Sequence, residues 1–218
     1  MSGRTSFAGA LLSIGGIWGI VSIPVAESLT PGYNVSTEAV SGLGLPYFSG
    51  ICNSISACLN PVQPASAIFV FSLLLSGIFT ICSGYILRRA WTHRLFALGI
   101  VVYGIGITAV GMSYLPIYLG ATSEGAVGVA YGIHITGALL AFVLGAAIAI
   151  STCGFTKGPF RYFGLVLGVL ALIAFVLFLT GTDLGLGGGG MERLIIYPNN
   201  LWSICFGGYL LGGFELAS

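Results

Sequence analysis

The sequence predicts an all-α, polytopic transmembrane bundle of about six membrane-spanning helices with a short outer-surface cap after the first. Three observations carry that reading. Of 218 residues, 56% are hydrophobic and 6% charged, against roughly 25% charged in an ordinary soluble domain, and so few charges could not cover a surface facing water. Six long runs lack Asp, Glu, Lys and Arg altogether, and each is near the ~20 residues a helix needs to cross the hydrocarbon core. The cations, finally, fall at alternate ends of those runs, as they do when short loops carry Lys and Arg on the cytoplasmic side. A barrel is excluded by the missing polar alternation, a nucleic-acid binder by a net charge of +1, and a disordered chain by the apolar bulk.

The first run, residues 7–25, comes after Arg4, is rich in glycine and ends near Pro24 without a small-x-small cleavage site, so it reads as a retained helix rather than a signal peptide. Residues 39–87 carry no charge and are long enough for two crossings. Their first half, however, is broken by Gly42, Gly44, Pro46, Gly50, Pro61 and Pro64 and carries Asn53, Asn60 and Gln63. Such backbone is tolerated at membrane depth only when buried in protein or lining water, so residues 28–64 read as an outer-surface or re-entrant cap. The remaining spans are expected at residues 65–87, 95–118, 126–152, 163–181 and 194–214, and the whole chain, 1–218, as a single integral membrane domain.

With the N-terminus inside, Arg4, Arg88, Arg89, Arg94, Lys157 and Arg161 all lie in the cytoplasm and Arg193 alone lies outside. Both termini are then cytoplasmic and the membrane is the cell membrane. Glu27, Glu38, Glu124, Asp183 and Glu192 fall outside, Glu215 inside.

His134 is the one ionisable acid–base group within a run, and an intramembrane ionisable residue is a functional hypothesis by default. A neutral imidazole there needs hydrogen-bond partners; a protonated one needs a carboxylate, for which Glu27 and Glu38 are the candidates. The alternative is a buried histidine bonded to a tyrosine or a carbonyl. His93 lies at the opposite membrane face, so the two histidines cannot share an ion, and no zinc or haem constellation is present; no cofactor is expected. Cys52 and Cys58 could form a disulfide, which spacing alone does not decide. Cys82, Cys153 and Cys205 read as small hydrophobes.

Residues 185–190 formally satisfy GxGxxG, yet they come after a membrane helix rather than a strand, so a flexible turn is the better reading. Those glycines, the next helix N-terminus and Arg193 could together hold a small anion or lipid phosphate. The GxxxG pattern is no more frequent than the 35 glycines would give by chance; the glycine content implies only that missing side chains permit close helix contact. Arg88, Arg89, Trp91 and Arg94 look like a lipid-headgroup anchor. Asn34-Val35-Ser36 is an N-glycosylation sequon on the outer side.

Pro31-Gly32-Tyr33, Ser41-Gly42-Leu43-Gly44, Leu115-Pro116, His134-Ile135-Thr136-Gly137 and Met191-Glu192-Arg193 ahead of Trp202 together resemble the archaeal and bacterial membrane-protein family catalogued as domain of unknown function 998. Ile117 and Tyr118 stand where that resemblance leads one to expect an acidic residue. The resemblance implies a six-helix polytopic fold and brings no activity. It also implies that Glu38, Ser41, His134, Glu192 and Arg193 all approach the outer half of the bundle. They would either form a shallow polar pocket, with His134 at its floor and Arg193 at its rim, or tie the cap to the helices through hydrogen bonds that are costly to leave unmade in lipid.

Three function classes remain. The favoured one is a non-enzymatic membrane component: an accessory subunit of a membrane complex, or a binder of lipid or an apolar molecule, with membrane lipids, other subunits or a second copy as partners. A small-solute or proton-coupled transporter is the second, although no span carries a carboxylate. An intramembrane lipid-modifying enzyme using His134 is the third, and it lacks an evident acid, metal set or nucleophile elbow.

Overall fold

In lipid, every backbone N–H and C=O must be satisfied within the protein, and a helix does this inside one segment. The structure, a computed structural model, describes residues 3–45 and 59–213. Among the described residues each uncharged run is helical: α1 Gly3–Ser28, α2 Ala65–Ala90, α3 Arg94–Ser113, α4 Glu124–Ser151, α5 Pro159–Leu179 and α6 Gly187–Leu211. A single helical turn, Leu115–Tyr118, comes after α3, and a 3-10 turn, Val40–Leu43, lies in the cap. Local chemistry sets several ends. Arg88 and Arg89 occupy the last turn of α2, where cations complement the helix dipole. The Ser123 hydroxyl accepts from the Ala126 N–H at 3.4 Å and caps α4. Pro159 opens α5 after Gly158, whose φ is +68°.

Each helix packs on its neighbours in sequence, and α6 packs on both α5 and α1, so the six form a closed ring. The closest approaches use glycine. A Cβ on Gly77 of α2 would lie 2.9 Å from the Gly104 carbonyl oxygen of α3, and one on Gly106 of α3 would lie 2.9 Å from that of Gly137 on α4. The ring closes where a Cβ on Gly207 of α6 would meet the Gly9 carbonyl oxygen of α1 at 2.5 Å. Hydroxyls add cross-links: Ser83 donates to the Ala8 carbonyl at 2.8 Å and Ser13 to that of Ile204 at 3.0 Å. Of the sequence's GxxxG pairs, Gly164 and Gly168 do face α4, whereas Gly128, Gly132 and Gly208 have nothing within 4 Å.

Large apolar side chains face outward round the ring, among them Phe71, Val129, Val166 and Ile173. In water such a surface would associate; in lipid it is the expected exterior. Helices α1, α2, α4 and α5, and α3 together with its succeeding turn, are long and apolar enough to cross a membrane. Helix α6 is more polar, carrying Glu192, Arg193, Asn199 and Asn200, yet it runs antiparallel to α1 over the same depth. Gly207 meets Gly9 at one end and Arg193 meets Glu27 at the other.

One end of the ring carries Arg4, Arg88, Arg89, Arg94, Lys157 and Arg161; the other carries the cap. The arginine end is filled by aromatic rings: Trp202 stacks on Phe206 at 5.2 Å, Phe96 meets Phe155 edge-on at 4.6 Å, and Phe160 stacks on Tyr209 at 5.0 Å. The cap end has its own core, with Ile23, Leu43, Leu45, Phe69 and Tyr114 all buried.

Candidate functional site

A cap of irregular backbone over a membrane helix ring has to find partners for its carbonyls and N–H groups. Side chains of the ring supply them. Tyr114 donates to the Ser41 carbonyl at 3.0 Å, and Tyr118 to that of Gly44 at 3.1 Å. Gly44 has no room for a side chain, since a Cβ would overlap the Tyr114 ring. The buried Glu192 carboxylate accepts from the Val40 N–H at 2.6 Å. Ile117 and Tyr118, which replace the expected acid, therefore serve the cap, Ile117 within its apolar core.

Arg193 is the centre of this fastening. Its Nε and Nη2 hold Glu27 Oε1 at 3.1 and 2.5 Å. Nη1 donates to the carbonyls of Gly189 at 2.7 Å, Val35 at 2.8 Å and Glu38 at 3.4 Å. Nη2 also donates to the Tyr33 hydroxyl at 3.0 Å. That hydroxyl in turn lies 2.9 Å from the Ala39 carbonyl oxygen, and burial pushes its pKa up to about 12, so it remains a neutral donor. The side chains of Arg193 and Glu27 are 8% and 15% exposed, which makes this a desolvated pair rather than a surface one.

The glycine run closes the join. Helix α6 begins inside it, at Gly187, and the Gly189 N–H donates to the Ser36 carbonyl at 2.8 Å. A Cβ on Gly189 would overlap the Glu38 carbonyl oxygen and lie 2.6 Å from that of Val35. The segment is thus a docking strip for residues 35–38, and the N–H groups and guanidinium that sequence reasoning offers to an anion hold cap carbonyls instead.

Beneath the cap the ring encloses a cavity of about 80 Å³. Ile23, Phe69, Leu73, Ile107, Ala138 and Phe142 give it an apolar wall; Ser41, Ser76, Tyr103, His134, Glu192, Asn199 and Asn200 give it polar points. His134 lies ten residues into α4, about 15 Å from its start at 1.5 Å per residue. Ser113 donates its hydroxyl to the Val110 carbonyl at 2.6 Å, and the same oxygen lies 3.3 Å from His134 Nδ1. The Tyr114 ring meets the imidazole edge-on at 5.6 Å.

Of the residues that the sequence groups together, Ser41, His134 and Glu192 do line one cavity. Arg193 sits beside it in the clamp. The Glu38 carboxylate instead accepts from the Asn34 N–H at 3.3 Å, at the cap surface. Asn34 is exposed, and its Oδ1 accepts from the Ser36 and Thr37 N–H groups. At the arginine end, Arg88, Arg89 and Arg94 are exposed, while Trp91 packs inward against Phe96 and Phe206. Cys52 and Cys58 lie outside the described residues. Among the described residues no three His, Cys, Asp or Glu side chains are grouped to hold a metal ion.

Sequence reasoning misses Asn199, Asn200 and Tyr103. The signal is present: Pro198-Asn199-Asn200 interrupts the last span with a residue that cannot donate to the preceding turn and two amides. A search confined to charged exceptions passes over it.

Apolar helices long enough to cross a membrane, closed into a ring and roofed by a polar-fastened cap, define a multi-pass integral membrane protein. The chain belongs to the family described as Protein of unknown function (DUF998), whose model matches residues 13–209. No curated protein and no solved structure matches it.

Proposed function

We propose that this protein is a non-enzymatic component of the cell membrane that encloses a small, largely apolar molecule in the chamber beneath its cap. The observation that carries the reading is the chamber itself, walled by five helices and covered by cap residues Val40 and Ser41. At about 80 Å³ it has room for roughly six water-sized groups. The charged groups nearby favour binding over chemistry, because Arg193 and Glu192 are committed to the cap. His134 has a serine at Nδ1 where a catalytic base would need an orienting carboxylate. The aromatic filling of the arginine end counts against a continuous transport path.

The cation distribution supports placing the arginine end, and both termini, in the cytoplasm and the cap outside. Exposed Arg88, Arg89 and Arg94 would then meet lipid phosphates, and Asn34 would be open to glycosylation.

Replacing Ala138 by Phe fills the chamber from α4. Mass spectrometry of solvent extracts from the purified protein should find a stoichiometric small molecule with the wild type and its loss in Ala138→Phe, with both proteins monodisperse. Identical extracts from the two would sink the reading.

A second reading, a packing subunit or homo-oligomer, is favoured by Gly125, Gly128 and Gly132. They form a bare strip on α4 with nothing within 4 Å, and small residues at that spacing let membrane helices approach closely.

A further inference from the structure

The chamber carries information about its occupant. Asn199 projects from α6 into its wall, one residue after Pro198, which the helix carries in its interior. The amide is given space by Gly145 on α4, where a Cβ would meet Asn199 Cγ and Nδ2 at 2.7 Å. Asn200 is accommodated in the same way on the other side, against Gly19 of α1, and its Nδ2 donates to the Ile196 carbonyl at 3.2 Å. Two facing helices thus omit side chains to admit two adjacent amides at mid-depth. Asn199 is 3% exposed and its Oδ1 has no hydrogen-bond partner among the described residues.

An amide oxygen left unpaired in an apolar interior is costly, and native structures rarely leave one so. The cost is removed if the chamber's occupant brings a donor. A charged occupant fits poorly, since an ion there would be desolvated and the one carboxylate of the wall, Glu192, already accepts from the Val40 N–H. We infer that the chamber binds a small neutral molecule of about six non-hydrogen atoms carrying a hydroxyl or amide N–H donor, which it gives to the Asn199 side chain. The apolar wall takes the remainder of the molecule. This rests on the binding reading above and deepens it. A site built to meet a polar group discriminates strongly against an analogue lacking it, because its own buried atom is then stranded.

Two fluorinated probes of nearly equal size test this by 19F NMR on the protein in lipid nanodiscs: 2,2,2-trifluoroethanol, which has a hydroxyl, and 1,1,1-trifluoroethane, which does not. The expected result is a saturable bound resonance for the alcohol, at least tenfold tighter than any for the alkane, and at least tenfold weakened in Asn199→Leu. The wild-type comparison of the two probes stands even if that variant does not fold. Equal binding of both probes to the wild type, blocked by Ala138→Phe, would overturn the donor inference and leave the apolar-ligand reading intact. Binding of neither probe would overturn both.

Discussion

Arg193→Met should be the most damaging single change in the chain. It strands the Glu27 carboxylate, which is 15% exposed, and removes the donor from the carbonyls of Val35 and Gly189. Removing one partner of a desolvated ion pair costs about 3–5 kcal/mol, and at roughly 2–4 °C per kcal/mol for a chain of this size the purified protein should melt on the order of 10 °C lower. The double variant Glu27→Gln/Arg193→Met should recover part of that loss, because the uncompensated charge is gone while the carbonyls remain unmet. Arg193→Lys should fall between, since an ammonium keeps the charge but cannot reach Glu27, Tyr33 and the loop carbonyls in one fork. Thermal unfolding of the four proteins in one detergent measures this. Additive losses in the double variant would show that the pair is not coupled.

The second large effect comes from a single methyl group at the α1–α6 seam. Gly207→Ala places a Cβ 2.5 Å from the Gly9 carbonyl oxygen and 2.7 Å from the Ser13 amide nitrogen. Both are backbone atoms, so the helices have to part and the ring opens, at a cost of about 1–3 kcal/mol. The adjacent Gly208→Ala meets nothing within 4 Å and gains helix propensity of up to about 1 kcal/mol. Unfolding midpoints should therefore fall for the first and hold or rise for the second. Equal shifts would mean that the seam does not depend on backbone proximity.

The spans are legible in the sequence because an uncharged run of sufficient length has one stable solution in lipid, and the helices begin and end within a few residues of the runs at α2, α3 and α4. Helix α6 is the exception. Glycine is a poor helix former, so residues 185–190 read as a turn, whereas the helix starts at Gly187 because residues 35–38 need the space that glycine leaves. The ring's closure is hidden for a different reason. Lipid tails are as apolar as a protein core, so hydropathy does not tell the face of α1 that meets α6 from the face that meets lipid.

Part of the site is visible in the same way. Ser41, His134 and Glu192 line the chamber, and Arg193 adjoins it. Glu38 does not reach it, because its carboxylate turns back onto the Asn34 N–H. Residue order offers Glu27 as a partner for His134, and the geometry gives it to Arg193. That exchange depends on where the cap folds, which spacing along the chain does not encode. The amides of α6 are legible in principle, as polar residues beside a proline in a span.

Cysteine accessibility tests the cap as a cover most directly. In a chain whose five native cysteines are replaced, Ser76→Cys sits in the chamber wall and Thr37→Cys on the exposed cap. A water-soluble maleimide should label Thr37→Cys rapidly and leave Ser76→Cys protected until Arg193→Met releases the cap. Rapid labelling of Ser76→Cys with the clamp intact, or continued protection once the clamp is gone, would contradict it.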